Sequence, residues 1–131
     1  MTGLVIDSCA VAEVLMKTQL GNAVSRTIRN CRLFAPELID VEVLATLRRA
    51  VNRKTMTERD ALVAVDLLTE WPITRLSHAP FNVMVWGDRH NVSPYDALYL
   101  AVARVQELPL ITVDARLSRA PVSDVAIISV R

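Results

Sequence analysis

The sequence predicts an α/β domain in which a central parallel β-sheet is flanked by α-helices. Short apolar runs alternate along the chain with longer segments of helical periodicity, and this alternation is typical of parallel sheets with right-handed crossovers. The length of 131 residues, with 52% hydrophobic and 22% charged residues, suits one globular domain with a proper core. We therefore expect residues 1–131 to form a single domain.

The amino-terminal third of the chain predicts two strands separated by two helices. Leu4-Val5-Ile6 is a short apolar run typical of a buried strand, and it ends at Asp7. Helices are expected over residues 10–16 and 22–29. A brief strand is expected over residues 33–35, where Pro36 stops it.

The middle of the chain predicts two helices and a third strand. From Pro36 to about Lys54 apolar side chains recur on one helical face. Thr57, with Asp60 three residues later, is a capping pattern that opens a helix ending at about residue 70. A strand is expected over residues 73–76.

The carboxyl-terminal part contains the clearest helix start. Ser93 is the expected N-cap and Pro94 the first helical residue of a helix whose body covers residues 97–106. Pro80 is expected to begin a shorter helix to about residue 89. The remaining predicted strands are residues 110–113 and 126–130.

Composition and short motifs exclude several function classes. The three glycines cannot form a glycine-rich phosphate loop, and two cysteines are too few for a disulfide framework or a structural zinc site. A net charge of +1 argues against bulk electrostatic binding to DNA. No apolar run approaches the ~20 residues of a membrane span, and Lys17 is the first basic residue, so we expect neither a membrane span nor a secretory signal, and a cytoplasmic location.

Few residues other than acids are candidates for chemistry. His78 and His90 are the only histidines, and they are expected to be surface or capping residues. Trp71 and Trp86 are expected in the core rather than as stacking platforms. Cys9 could be a nucleophile only with a partner that the sequence does not reveal.

Four of the fourteen acids have placements that favour chemistry. Asp7 and Asp114 directly follow predicted parallel strands, so both fall on the carboxyl-terminal rim, where such sheets bind ligands. Asp96 opens the helix capped by Ser93, and Glu42 lies in the first half of the helix after Pro36.

Each acid also has a structural explanation. Asp7 and Asp96 could serve as helix caps, Asp114 as a turn residue, and Glu42 as part of a solvated face with nearby arginines. Asp40 is a rival to Glu42 for the same role.

Clustered carboxylates raise one another's pKa values, so a stable cluster needs a cation. Oxygen ligands without histidine or cysteine suit Mg²⁺, or Mn²⁺, rather than zinc. Such a metal orients a phosphodiester and activates water.

Four stretches of the chain resemble the PIN-domain family, specifically its bacterial VapC toxin branch. They cover residues 5–10, 35–44, 93–101 and 110–117, in the right order and spacing. The resemblance implies a Mg²⁺-dependent endoribonuclease of a toxin–antitoxin pair, with an RNA substrate, a cognate antitoxin and a homodimer. It assigns the catalytic positions to Asp7, Glu42, Asp96 and Asp114, with Asp7, Asp96 and Asp114 as metal ligands.

The resemblance also matches Ser8 and Thr112 to polar positions near the site, and Cys9 departs from the Ser or Ala expected there. Arg49 and Arg53 follow Glu42 on nearly the same helix flank, which predicts a positive track for RNA.

Three other functions fit the sequence less well. A haloacid-dehalogenase-like phosphohydrolase needs a second Asp two residues after Asp7, where Cys9 stands. A receiver domain needs a late lysine, and none follows Lys54. A catalytically inactive PIN-fold binding module is disfavoured because all four acids are present.

Overall fold

Five parallel strands form one sheet in the computed structural model, which describes residues 2–131. The strands are β1 (Thr2–Ile6), β2 (Cys31–Pro36), β3 (Ile73–Leu76), β4 (Leu110–Thr112) and β5 (Ile127–Ser129). Their order in the sheet is β3-β2-β1-β4-β5, and every pairing is parallel. This confirms the predicted fold class.

Helices connect the strands and flank the sheet. They are α1 (Ser8–Leu15), α2 (Gln19–Ile28), α3 (Leu38–Asn52), α4 (Glu58–Glu70), α5 (Asn82–Gly87), α6 (Pro94–Gln106) and α7 (Ala115–Ser118), with a 3₁₀ turn at Ala79–Phe81. All residues of α6 from Ala97 to Ala103 are buried. The longest apolar run of the sequence is therefore a core helix packed against the sheet. No helix within residues 2–131 is long and apolar enough to cross a membrane.

The register of β1 with its neighbour β4 fixes the position of Asp7. Ile6 of β1 lies opposite Ile111 of β4, and the Asp7 backbone nitrogen donates to the Ile111 carbonyl oxygen over 3.3 Å. Asp7 and the end of β4 therefore meet at the carboxyl-terminal edge of the sheet, as parallel pairing requires.

Two helix predictions differ from the structure by more than two residues or by a break in the helix. Helix α2 begins at Gln19, three residues before the predicted start, because the Thr18 hydroxyl accepts a hydrogen bond from the Gly21 nitrogen over 2.9 Å. A Cβ atom at Gly21 would lie 2.1 Å from the Glu13 carbonyl oxygen, so the close approach of α1 and α2 requires glycine here. The helix predicted from Pro80 is divided into the 3₁₀ turn and α5.

The expectation that Trp86 lies in the core is wrong. Its side chain is 68% exposed, and α5 contains no buried residue, because Phe81 just before it supplies the contact with the core. Trp71 is partly buried and packs against the core, as expected.

Arg104 anchors α6 to two connecting segments. Its guanidinium lies 2.6 Å from Asp88, just after α5, and 2.6 Å from Asp124, just before β5. These ion pairs hold the end of α5 and the segment before β5 against α6.

Candidate active site

Asp7 caps a helix and is also a member of the candidate active site. It is the N-cap of α1: one carboxylate oxygen accepts a hydrogen bond from the Ala10 nitrogen over 2.9 Å, and the other accepts one from the Thr112 hydroxyl. The side chain is 4% exposed. Burial, with smaller contributions from the charges of Asp114 and Asp96, raises the pKa of Asp7 to about 6 despite the two hydrogen bonds that lower it.

Thr112 joins Asp7 to Asp114. Its fully buried hydroxyl accepts a hydrogen bond from the Asp114 nitrogen over 2.9 Å while donating to Asp7. Asp114 is in turn the N-cap of α7 and accepts from the Arg116 nitrogen over 2.8 Å. The turn function expected for Asp114 is present, and its other carboxylate oxygen faces the Arg116 guanidinium.

The carboxylate of Asp96 is not used as a helix cap. Ser93 caps α6 by accepting from the Asp96 nitrogen over 3.2 Å, but no reciprocal bond from the Asp96 side chain is formed in residues 2–131. Asp96 Oδ2 is buried without a hydrogen-bond partner. Arg116 lies 3.1 Å from this oxygen as an ion pair, although the geometry is not that of a hydrogen bond.

Glu42 reaches the same region from α3. Its Oε1 accepts a hydrogen bond from the buried Tyr99 hydroxyl over 2.7 Å. Burial and the neighbouring carboxylate raise the pKa of Tyr99 well above its ordinary value, so the phenol remains a hydrogen-bond donor.

Cys9 is a solvent-accessible residue within reach of the charges of all four acids. Packing by surrounding atoms, and then the charges of Asp7, Asp114, Glu42 and Asp96, raise the pKa of its thiol to about 11. The thiol stays protonated near neutral pH, which argues against a nucleophilic role. We call Asp7, Glu42, Asp96 and Asp114 the acid cluster.

Asp40, the rival of Glu42, is engaged elsewhere. Both of its carboxylate oxygens accept hydrogen bonds from the Arg75 guanidinium, over 2.7 and 2.9 Å. Arg75 also donates to three carbonyl oxygens, including that of Leu68 over 2.8 Å. Asp40 therefore ties α3 to the segment around β3.

The proposed arginine track on α3 stays a prediction. Arg49 donates to the Thr46 hydroxyl over 3.1 Å and forms no ion pair with Glu42 within the described residues. Arg53 is the exposed C-cap residue of α3.

Sequence reasoning missed two residues of the site, Tyr99 and Arg116. Tyr99 follows Asp96 by three residues on α6, a spacing that places both on one helix face. Arg116 follows Asp114 by two residues and contacts both Asp96 and Asp114 at 3.1 Å. Both lie within stretches that carried the resemblance, but the contacts of Tyr99 with Glu42 and of Arg116 with Asp96 join residues distant in sequence.

The side chains do not form a preassembled metal site. Within residues 2–131 no group of three His, Cys, Asp or Glu side chains is arranged to hold an ion. The Arg116 guanidinium instead supplies positive charge between Asp96 and Asp114. Asp96 Oδ2 is buried with no hydrogen bond and only the Arg116 ion pair, and this oxygen and the all-oxygen donor set nevertheless fit a divalent cation.

Comparison with known proteins identifies the family. The PIN domain family profile matches residues 4–122. The chain belongs to the PIN-domain family. Its curated relatives place this PIN domain among the VapC ribonucleases: it is 38% identical over 123 residues to Ribonuclease VapC1 of Mycobacterium tuberculosis, covering 92% of each chain. It is 34% identical to Ribonuclease VapC12 of the same organism, covering 88% of this chain and 90% of the relative.

Solved structures show the same fold at low identity. VapBC2 from Rickettsia felis, bound to a promoter DNA fragment, aligns with a TM-score of 0.68 and 13% identity over 99% of the PIN domain and 100% of that chain. VapC20 of Mycobacterium tuberculosis, described as a Sarcin-Ricin loop cleaving toxin, aligns with a TM-score of 0.64 and 16% identity over 94% and 98% of the two chains.

Proposed function

We propose that this chain is a divalent-metal-dependent endoribonuclease, the toxin of a toxin–antitoxin pair, which hydrolyses RNA phosphodiester bonds at the acid cluster. The observation that carries this proposal is the buried Asp96 oxygen without a hydrogen bond, beside Asp114 and within the electrostatic reach of Asp7. Membership of the VapC ribonucleases supports it.

Asp7, Asp96 and Asp114 are the residues that would hold the metal, with Mg²⁺ as the expected ion and Mn²⁺ as an accepted substitute. When bound, the metal would polarise the phosphate and lower the pKa of a water molecule.

The protein's own groups orient the acids. Thr112 and the Ala10 nitrogen hold the Asp7 carboxylate in one orientation, and Tyr99 holds Oε1 of Glu42. The second Glu42 oxygen has no hydrogen bond from the described residues, so we assign to it the acceptance of a proton from water. Arg116 can offset phosphate charge at the same place where it now offsets the carboxylates.

The proposal is tested by incubating the purified protein with total RNA. Cleavage is expected with Mg²⁺ or Mn²⁺, is expected to stop in EDTA, and should return with excess Mg²⁺, because the acids alone cannot stabilise the charge of the reacting phosphate. Sequencing the fragment ends would identify the RNA. Full activity in EDTA would refute the metal requirement, and intact RNA under all conditions would refute the ribonuclease.

A cognate antitoxin and a second copy of the chain are the proposed partners, in the cytoplasm. The VapBC2 structure, a toxin–antitoxin complex with the same fold, supports the antitoxin. Helix α4 exposes an apolar face at Leu62, Val63 and Leu67 that a partner could cover. We expect co-expression to yield a complex and light scattering to give a dimer mass. A monomer at high concentration would contradict the homodimer.

A further inference from the structure

A groove of about 500 Å³ lies between α5 and the start of α6, next to the acid cluster. The residues that matter for its chemistry are Trp86, Arg89, His90, Asn91, Ser93 and Arg116. Two of them connect the groove with the acids: Arg116 lies 3.1 Å from both Asp96 and Asp114, and the Ser93 hydroxyl accepts from the Asp96 nitrogen. A molecule in the groove therefore lies beside two residues that contact the acid cluster.

Trp86 presents its indole to this groove without a packing role. The side chain is 68% exposed on a helix that has no buried residue. The Arg89 guanidinium carbon lies 4.8 Å from the ring centroid, and Arg89 also donates to the Trp86 carbonyl oxygen over 3.0 Å. This cation–π contact holds the ring in place while most of it remains open to solvent.

The charge of the groove complements a nucleic acid. Its lining contains Arg89, Arg116 and His90 and no Asp or Glu among the described residues. An aromatic ring beside guanidinium groups is the combination that binds a base by stacking and its phosphates by charge-assisted hydrogen bonds. Arg116 is already paired with Asp96 and Asp114, whereas Arg89 forms no ion pair within the described residues. A purely apolar partner would therefore cover the Arg89 guanidinium without giving it a counter-charge.

We propose that the groove is a nucleotide subsite in which one unpaired RNA base stacks on Trp86 and the adjoining phosphates lie beside Arg89 and Arg116. Because the subsite is defined by its closeness to the acids, it rests on the function proposed above. Since a base in a duplex is already stacked, the subsite selects single-stranded RNA for cleavage.

The first test measures stacking directly. In a Trp71→Phe, Asp96→Asn variant, Trp86 is the only tryptophan and RNA is bound but not cut. Short single-stranded RNA of random sequence, with Mg²⁺ present, is expected to quench the fluorescence. A strand of the same length with abasic sugars and a duplex are expected to leave it unchanged. Fluorescence unaffected by saturating single-stranded RNA would overturn the proposal.

The second test measures the contribution to affinity. In the Asp96→Asn background, Trp86→Ala is expected to weaken single-stranded RNA binding roughly tenfold to a hundredfold, the effect of losing one stacked base. Trp86→Phe should restore most of it. The matched control is Val83→Ala. Val83 is an 88% exposed apolar residue of α5 that does not line the groove, so this variant should bind RNA as tightly as the Asp96→Asn protein.

In active enzyme, Trp86→Ala is expected to raise KM far more than it lowers kcat. If it instead converts a dimer to a monomer in light scattering while RNA affinity stays unchanged, Trp86 belongs to an interface between two copies and the subsite is refuted. These binding experiments do not need cleavage, so an inactive wild-type protein would refute the proposed function and leave the subsite to be decided by fluorescence.

Discussion

Asp96→Asn is expected to reduce RNA cleavage by at least ~10³-fold in kcat, the scale seen when one member of a catalytic group is removed. Asparagine keeps the shape of the side chain but removes the charge from the buried oxygen that has no hydrogen bond. Ser93 caps α6 through the backbone nitrogen, so the helix should be unaffected. Cleavage assays measure the loss of activity, and circular dichroism verifies that the variant folds. A folded variant with wild-type kcat would exclude Asp96 from catalysis.

Glu42 and Asp40 provide the matched comparison. Glu42→Gln is expected to lower cleavage strongly, because it changes the carboxylate held by Tyr99. Asp40→Asn weakens an ion pair with Arg75 and should affect stability more than kcat. The reverse order would show that Asp40 is the second acid of the site.

Asp7→Asn is expected to stabilise the metal-free protein near pH 7.5. The pKa of buried Asp7 is raised from 3.8 to about 6, so the folded state favours the neutral form. The contribution of Asp7 to stability is therefore fully present below about pH 4 and is lost as pH rises through about 6, a change of about 3 kcal/mol. Asparagine stays neutral but fits the Thr112 hydroxyl less well, which leaves a net gain of about 2 kcal/mol, or very roughly 5–10 °C in Tm.

Thermal unfolding in EDTA at several pH values measures this effect. The Tm advantage of Asp7→Asn should be lost near pH 4 and reverse at lower pH, because Asp7 is then mostly protonated in the folded protein and only the poorer fit of asparagine remains. Mg²⁺ should raise the Tm of the wild type and have little effect on Asp7→Asn, because the metal stabilises the fold by mass action only where its ligands are charged. A lower Tm for Asp7→Asn at pH 7.5 in EDTA would contradict the prediction.

Most of the fold could be predicted from local patterns. All five strands were predicted close to their observed positions. The apolar run of β1 was the clearest signal, because a parallel strand buried on both faces needs continuous apolar residues. Strand β3 contains Thr74 and Arg75 and is only partly buried, so its pattern was weaker. Ser93 and Pro94 predicted the start of α6 correctly, because capping depends on neighbouring residues. The start of α2 was missed, since it depends on Thr18 and on the close approach of Gly21 to α1.

The candidate site was predictable only in outline. Strand ends placed Asp7 and Asp114 on one rim, but no sequence pattern shows that Tyr99 binds Glu42 across 57 residues, or that Arg75 engages Asp40. Trp86 was assigned to the core on residue type alone, whereas exposure depends on what packs against α5.

The sequence by itself determined the α/β class, the placement of Asp7 and Asp114 after parallel strands, and the kind of metal that carboxylate oxygens suit. These follow from periodicity, caps and residue type. Only the tertiary structure decided which partners each charged group meets. It made Arg116 the counter-charge of Asp96 and Asp114, left one Asp96 oxygen without a hydrogen bond, and exposed Trp86 beside them. Burial and ion pairing depend on side chains that come from distant parts of the chain, and the local sequence carries little information about which of them meet.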